Sequence, residues 1–443
     1  VDLQIPVGKK SIIKFGGVYR HKKKERNNNF FEFTPIGGLN DGDSHPDFGG
    51  SWDAAEEEYT DLLLGDVPVS NKSKSDFLAG SQYQAGNYAD AGFLGGIDLT
   101  NGSLYEGEDK PEEYAPGNYT ATEDIAGFYA MADLQLTPKL SSIVGIRVEN
   151  TSIDYEGFSF DDDTGEIGNT SGSNDYTNVL PNLQFKYDLT QNTILRLAFS
   201  NTLARPGYFQ LVPFEEFVPE DSELTRGNPE LDPTVSMNFD LMGEHYFEDI
   251  GLVSLGFFYK DVEDFIYEQE IDDFMDPVYG EVDLTVFNNG PKADVTGIEA
   301  SIQKQFGGLG IYLNYTYTHS STDGIEGREG EDIALPGTAT HMYNASLSYE
   351  TKKLVLRLSL NHASDYIDEL GGESFEDRFY DKQTFLDFNG SYAFSDNWRV
   401  FAEWNNITNQ PLRFYQGMEN LTMQEEFYDM RFNLGVKFDI FEN

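Results

Sequence analysis

The stretch Leu354-Val355-Leu356-Arg357-Leu358-Ser359-Leu360-Asn361 alternates apolar and polar residues without a break. Successive side chains of a β-strand point to opposite faces, so the leucines would share one face and the polar residues the other. A helix would instead distribute the same leucines around its whole surface. Residues 343–350 and 430–440 alternate in the same way. The pattern therefore predicts long strands with one apolar and one polar face.

About fifteen such segments follow one another, near residues 2–6, 11–34, 122–136, 140–156, 177–189, 193–204, 234–247, 251–269, 293–306, 309–321, 338–350, 354–364, 383–394, 397–413 and 425–440. Tight turns such as 137–139 alternate with long loops such as 205–233. That alternation predicts an all-β fold, a transmembrane antiparallel up-and-down β-barrel with periplasmic turns and outer loops. A soluble propeller would show a repeat of about 40–50 residues, and a sandwich would have strands of about 5–6 residues.

Composition limits the function classes. The 443 residues include 77 Asp+Glu against 30 Lys+Arg, a net charge of −47, and no cysteine. Such a charge excludes nucleic acid as a partner, because a duplex would be repelled. The 34 Phe and 26 Tyr argue against an acidic disordered chain. The mean hydropathy of −0.48 suits strands that alternate lipid-facing with lumen-facing residues.

Residues 35–121 form the longest predicted loop, and they are rich in Asp and Glu. A connection of this length is typical of a functional or partly mobile outer loop. The apolar run at 62–64 predicts local packing, with a short helix around 53–64.

Five motifs occur in order between residues 177 and 440: VLPNLQFKYDLTQNTILRLAFSNTLARP at 179–206, GNPELDP at 227–233, GFFYKDVEDFI at 256–266, VTGIE at 295–299 and EWNNITNQP at 403–411. Their order and spacing resemble the barrel of TonB-dependent receptors, and most closely the subgroup often associated with complex-carbohydrate uptake. The opening segment, residues 11–34, also resembles a mid-barrel strand of this family that leads into a long loop.

The resemblance implies a barrel of about 22 strands, of which residues 1–443 would be the C-terminal portion. The globular plug, the N-terminal segment that contacts TonB and about seven earlier strands would lie outside this chain. It further implies a place in the outer membrane of a Gram-negative bacterium, in contact with lipid and lipopolysaccharide. TonB-dependent nutrient uptake involves no covalent chemistry, so we expect a transporter and no enzyme.

Two other functions remain open at this point. A barrel receptor subunit of a larger envelope complex would use the acidic loops to bind a surface lipoprotein or another envelope protein. A passive porin would lack a plug and would close with about 16–18 strands.

Candidate substrate-binding residues are an arginine and several aromatic residues of the long loops: Trp52, Arg205, Tyr208, Phe209, Phe379 and Tyr380. Such rings either stack on sugar rings or pack locally, and the sequence leaves both roles open. Because Pro206 removes a ladder donor, the Arg-Pro pair predicts a loop-shaping motif, with substrate contact as the alternative.

Calcium is the candidate cofactor, and otherwise we expect none. Asp161, Asp163 and Glu166 carry oxygens at alternating positions, as in a calcium loop, but they lack the EF-hand pattern. A solvated acidic loop tip is the alternative interpretation.

The loop charge gives a ranking of substrates. An anionic ferric siderophore would be repelled by acidic loops, whereas a neutral glycan would not and a cationic peptide would be attracted. The sequence therefore ranks carbohydrate first, peptide second and ferric siderophore third.

Overall fold

The computed structural model describes residues 1–8, 10–36, 45–47, 51–53, 58–60, 67–70, 88–161, 165–218, 222–247, 251–325 and 327–439. The chain divides into two compact units. Unit 1 comprises Val1–Arg26, Tyr119–Ser159 and Gly168–Asn443, and unit 2 comprises Asn27–Asn118 and Phe160–Ile167. Among the described residues, no helix is long and apolar enough to cross a membrane.

A large sheet organises unit 1, and fifteen of its strands follow one another in chain order within the described residues. They are β1 (Asp2–Val7), β2 (Ser11–Arg26), β3 (Tyr119–Thr137), β4 (Leu140–Asp161), β5 (Glu166–Asp188), β6 (Thr193–Ala204), β7 (Thr234–Tyr246), β8 (Gly251–Glu263), β9 (Lys292–Phe306), β10 (Leu309–Asp323), β11 (His341–Glu350), β12 (Leu354–Ala363), β13 (Gln383–Ala393), β14 (Trp398–Asn405) and β15 (Arg431–Phe438). Four further strands of the sheet lie in the long loops, at Glu215–Val218, Glu223–Arg226, Ile266–Asp276 and Gly280–Asn289.

Consecutive strands pair in antiparallel fashion from β1 to β4 and from β5 to β15. Between β4 and β5, Asn150 Nδ2 donates to Tyr176 O at 3.3 Å. Tight turns and long loops alternate between these strands, as the sequence predicts. The all-β, up-and-down prediction is therefore confirmed.

The register separates two chemically different faces. One row across five neighbouring strands is apolar and consists of Ile302, Leu313, Ala345, Leu360 and Leu386. We call this side the outer face. Its large side chains are substantially exposed, with Leu347 at 50% and Leu358 at 41%. Because a water-soluble sheet would bury such a row, this face is suited to hydrocarbon.

The opposite, inner face is polar. Ser301, Asn314, Asn344 and Asn361 lie side by side on β9 to β12. Asn344 Nδ2 donates to Asn314 Oδ1 at 2.9 Å, and Asn361 donates in turn to Asn344. Arg357 lies opposite Ser348 and Asn389 on this face. The predicted separation of Arg357 from the leucines of its strand is therefore confirmed.

We expect Leu358→Arg to lower the free energy of unfolding by about 2–4 kcal/mol, because an arginine on the lipid face must be desolvated. The measurement is guanidinium unfolding of the full-length protein folded into bilayers. Ser359→Arg is the matched control, since position 359 lies on the inner face opposite Asp387. Equal destabilisation by both substitutions would contradict this assignment of the two faces.

Unit 2 contains short antiparallel pairs. Phe31–Pro35 pairs with Tyr105–Asp109, and Val69–Ser70 pairs with Tyr88–Ala89. Helix α1 is Ala91–Leu94, and a 3-10 helix covers Pro111–Glu113. The prediction of a helix around 53–64 is wrong for the described residues of this segment, because Ser51–Asp53 and Glu58–Thr60 are paired strands. Backbone pairing is thus preferred there to the helix suggested by the apolar run.

The buried apolar residues of unit 1 lie where long loops fold onto the inner face. One cluster joins β3 and β4 to the loop after β6, which contains helix α2 (Tyr208–Leu211). A second cluster joins β8 and β9 to the loops after β10 and β12. A separate loop sheet is formed by Tyr366–Glu369, Arg378–Tyr380, Leu412–Gln416 and Thr422–Glu426. The loops, and not the middle of the wall, therefore carry the apolar core.

Candidate functional site

The Arg-Pro motif begins the loop after β6, and its arginine turns to the inner face. Arg205 Nη2 donates to Glu149 Oε2 at 2.6 Å and to Thr151 Oγ1 at 3.2 Å. Its Nε lies 3.9 Å from Glu123 Oε1. Pro206 cannot continue the ladder, so the chain leaves β6 at this point. The motif therefore anchors the loop to the wall.

Glu123 and Glu149 each form an ion pair with a second cation besides Arg205. Lys22 Nζ lies 2.8 Å from Glu123 Oε2, and Arg147 Nε donates to Glu149 Oε1 at 2.6 Å. The Glu123 side chain is only 3% exposed, and that of Glu149 is 11% exposed. Charges this buried are tolerated when each has close partners of opposite sign.

Helix α2 carries the next two candidate residues. The Tyr208 hydroxyl donates to Glu123 Oε2 at 3.3 Å, and burial, together with the Glu123 carboxylate, raises the pKa of this hydroxyl. Phe209 stacks on Phe214 with ring centroids 4.5 Å apart. The structure thus brings Arg205, Tyr208 and Phe209 into one cluster, in which their contacts position the loop.

The GNPELDP motif completes the same loop. An added Cβ at Gly227 would lie 1.8 Å from the Val212 carbonyl oxygen, so only glycine fits this approach. The neighbouring Asn228 amide N–H donates to Gln210 O at 2.7 Å, and its side chain donates to Phe287 O at 2.9 Å. The motif closes the loop on itself, as its turn residues predict.

Phe379 and Tyr380 belong to a second group, in the loop sheet. Phe379 stacks on Tyr415 at 5.0 Å with an interplanar angle of 4°. Tyr380 lies between Tyr366, at 5.4 Å, and Phe414, at 4.9 Å. We call Tyr366, Tyr380 and Phe414 the aromatic row. All three rings are partly exposed, so this row retains surface on which a planar or cyclic ligand can stack.

A buried ion pair joins two outer loops. Arg328, in the loop after β10, donates to Asp377, in the loop after β12, with Nη2 3.1 Å from Oδ2. Arg328 Nη1 also donates to Gly371 O at 3.2 Å. Sequence reasoning missed this contact. The one feature of the sequence that points to this ion pair is that Arg328 is the single cation in the acidic run Gly327–Asp332.

Next to the loop sheet lies a recess of about 340 Å³. Its charged and polar lining comprises Glu223, Glu268, Glu270, Asp272, Asp283, Thr285, Glu369, Glu376, Arg378 and Gln416. Burial raises the pKa of Glu268, Glu270 and Glu369, and carboxylates around Glu270 raise its pKa further. Among the described residues, no group of three His, Asp or Glu side chains is arranged to hold a metal ion.

We expect the loops around this recess to resist protease better at pH 5.5 than at pH 7.5. A carboxyl group whose pKa is raised in the folded state binds protons more readily there, so folding is favoured as pH falls through that raised pKa. The gain should therefore appear between neutrality and the ordinary Glu value of about 4.3. Cleavage within Ile266–Asn289 is the readout.

Glu270→Gln is the informative variant, since it should increase protection at pH 7.5 and reduce the pH dependence. Glu106→Gln, on an exposed carboxylate of unit 2, is the control. Cleavage that is independent of pH in the unmodified protein would contradict the prediction.

The structure describes the remaining candidate residues, Trp52 and the three calcium candidates, only in part. Trp52 pairs through its backbone with Tyr59, but its side chain lies outside the described residues. Asp163 also lies outside them, as do the side chains of Asp161, the last residue of β4, and Glu166, the first of β5. The calcium site therefore stays a prediction.

Comparison with known proteins identifies a family and curated relatives. The family described as "TonB dependent receptor-like, beta-barrel" matches residues 7–407. An iron-regulated outer membrane virulence protein of Vibrio cholerae is 28% identical over 194 residues, which is 42% of this chain and 29% of that protein.

Solved structures share the fold. The siderophore receptor PiuA from Acinetobacter baumannii superposes with a TM-score of 0.57 at 12% identity, over 98% of this chain and 54% of that one. The ferric-catecholate import receptor Fiu from E. coli K12 gives a TM-score of 0.57 at 13% identity, over 99% of this chain and 63% of that one. The chain thus spans between half and two thirds of the length of these structures, and its match covers under a third of the curated relative.

Proposed function

The chain belongs to the TonB-dependent receptor β-barrel family, and on that premise we propose that it is part of a transporter importing a nutrient with energy relayed through TonB. The family and its outer-membrane relatives place it in the outer membrane of a Gram-negative bacterium. Receptors of this family transport and do not catalyse covalent chemistry. The observation that carries the proposal is a wall with an apolar outer face and a polar inner face, onto which long loops fold.

We further propose that residues 1–443 are the C-terminal portion of a larger barrel, completed by about seven more strands and a plug. In the described part of the chain, β1 pairs with β2 alone and β15 with β14 alone. Unpaired strand edges are costly in a membrane, and this cost supports the proposal of further strands. The partial coverage of the solved relatives agrees with this.

For the substrate we propose a carbohydrate, held at the outer loops. The aromatic row offers partly exposed rings, and the neighbouring recess offers carboxylate and amide oxygens that accept hydrogen bonds from hydroxyl groups. A ferric siderophore is the second candidate, because the structural relatives include a siderophore receptor and a ferric-catecholate import receptor.

The test is growth of a deletion strain on defined glycans, on peptides and under iron limitation with ferric siderophores. We expect growth on at least one glycan to be lost and then restored by the full-length protein. Tyr380→Ala with Phe414→Ala should fail to restore it, whereas Tyr428→Ala, at an exposed loop aromatic outside the row, should succeed. Loss of iron-limited growth alone would contradict the carbohydrate proposal and favour the siderophore.

A further inference from the structure

Strand β2 concentrates positive charge on one face. Its alternate positions Arg20, Lys22, Lys24 and Arg26 are all cationic, in a chain of net charge −47. We call these four residues the basic column. Alternate residues of a strand share a face and lie about 6.6 Å apart. The column is therefore a regular line of cations about 20 Å long.

Register places the column on the inner face. Lys24 lies opposite Ala121, and Arg26 lies opposite Tyr119. Ala121 and Tyr119 are 1% and 6% exposed, because the loop after β6 packs over them. The column thus stands beside this loop, and the Arg26 guanidinium lies 5.7 Å from the Phe209 ring.

The charges of this wall do not cancel. Lys22 pairs with Glu123, while Arg20 and Lys24 form no ion pair with any described residue. Glu123 and Glu149 already serve Arg205 and Arg147 as well. Six cations therefore face three carboxylates here, which leaves three uncompensated positive charges; the set is Arg20, Lys22, Lys24, Arg26, Arg147 and Arg205 against Asp2, Glu123 and Glu149.

The geometry points to an anion-binding track: we propose that the basic column receives the carboxylate or sulfate groups of an acidic carbohydrate. This inference rests on the proposed uptake function and names its substrate class. Arginine and lysine form strong charge-assisted hydrogen bonds to such groups. Phe209, beside Arg26, offers an aromatic surface next to the charges.

The acidity of the whole chain does not oppose this assignment. Exposed charges are screened over about 8 Å at physiological ionic strength. A ligand at the column therefore responds to the local surplus of cations more than to carboxylates elsewhere in the loops. A surface with an excess of one sign also concentrates oppositely charged ligands.

The experiment measures binding to the full-length protein in detergent. Three probes are titrated: an oligosaccharide of uronic acids, a neutral oligosaccharide of the same length, and ferric citrate. Arg20→Gln with Lys24→Gln removes two cations that have no ion pair in the described chain. Lys23→Gln is the matched control, because Lys23 lies between them on the other face and pairs with Glu25 at 3.4 Å.

We expect the uronic-acid probe to bind, with affinity that falls as salt rises. The double variant should weaken its binding by at least about tenfold, while Lys23→Gln leaves it unchanged. Equal binding of acidic and neutral probes, or no effect of the double variant, would overturn this inference and leave carbohydrate uptake standing. Binding of ferric citrate alone would overturn both the inference and the carbohydrate proposal. A double variant that lowers only thermal stability would assign the column a structural role and overturn the inference.

Discussion

Replacing Arg328 with alanine is expected to raise the opening equilibrium of two outer loops by about 10²- to 4 × 10³-fold. The side chains of Arg328 and Asp377 are 3% and 5% exposed. Without the guanidinium, the only donors left to the Asp377 side chain among the described residues are neutral, such as the Gly371 amide at 3.2 Å. A buried carboxylate stripped of its counter-charge costs about 3–5 kcal/mol. Amide hydrogen exchange in residues 327–337 and 366–380 measures the opening.

Two further variants identify the cause. Lys382→Ala removes an exposed pair with Glu419, whose side chains are 55% and 63% exposed, and should cost about 0–1 kcal/mol. Arg328→Leu with Asp377→Leu removes both charges and should recover much of the protection, because no unpaired charge remains. If Arg328→Ala exchanged no faster than Lys382→Ala, the buried pair would not hold these loops together.

Arg205→Ala is expected to release the loop after β6 from the inner face. Two almost buried carboxylates share this guanidinium. Its loss should cost about 3 kcal/mol, the lower end of the range for a broken buried pair, because Lys22 and Arg147 remain as partners. Hydrogen exchange in residues 208–218 and 222–231 is the readout. Arg205→Lys should recover only part of the protection, because an ammonium cannot reproduce the fork of a guanidinium.

The control for Arg205 is Tyr208→Phe, which removes one hydrogen bond of 3.3 Å and keeps the ring. A small effect is expected, about 0.5–1.5 kcal/mol. The two roles that the sequence left open for Arg205 give different results. A substrate-contact residue would lose ligand affinity on replacement without faster exchange in the loop, and that outcome would contradict the anchoring role.

The two predictions concern the same architectural feature. Each anchor connects a long loop to a partner far along the chain, with a sequence separation of 49 for Arg328 and Asp377 and of 56 for Arg205 and Glu149. Both loops take part in the apolar clusters on the inner face. The position of the outer loops is therefore fixed jointly by charge pairing and by apolar burial.

Much of the fold was predictable from local pattern. Alternation gave fifteen strands and their order, and it separated Arg357 from the leucines of β12. The turn residues of GNPELDP predict a loop, and only glycine fits at position 227 of that loop. The prediction of a helix around 53–64 was wrong, because an apolar run does not distinguish a short helix from a hairpin.

The candidate site was less predictable. Arg205, Tyr208 and Phe209 were singled out from the sequence, but their contacts with Glu123 and Phe214 depend on where the loop folds. Tyr380 was found as a loop aromatic, whereas the row it forms with Tyr366 and Phe414 required three strands to meet. Such partners come from distant segments, and no local pattern specifies them.

The sequence by itself determined the strands, their order and the chemistry of their two faces, because a period of two residues is a local property of the backbone. The tertiary structure alone decided which charges meet. It placed Arg328 against Asp377, and it left the basic column of β2 with a positive surplus inside a chain of net charge −47. The physical reason is that electrostatic interactions weaken with distance and are screened over about 8 Å. A site is governed by the groups that folding brings next to it, and the total charge of the chain does not reveal them.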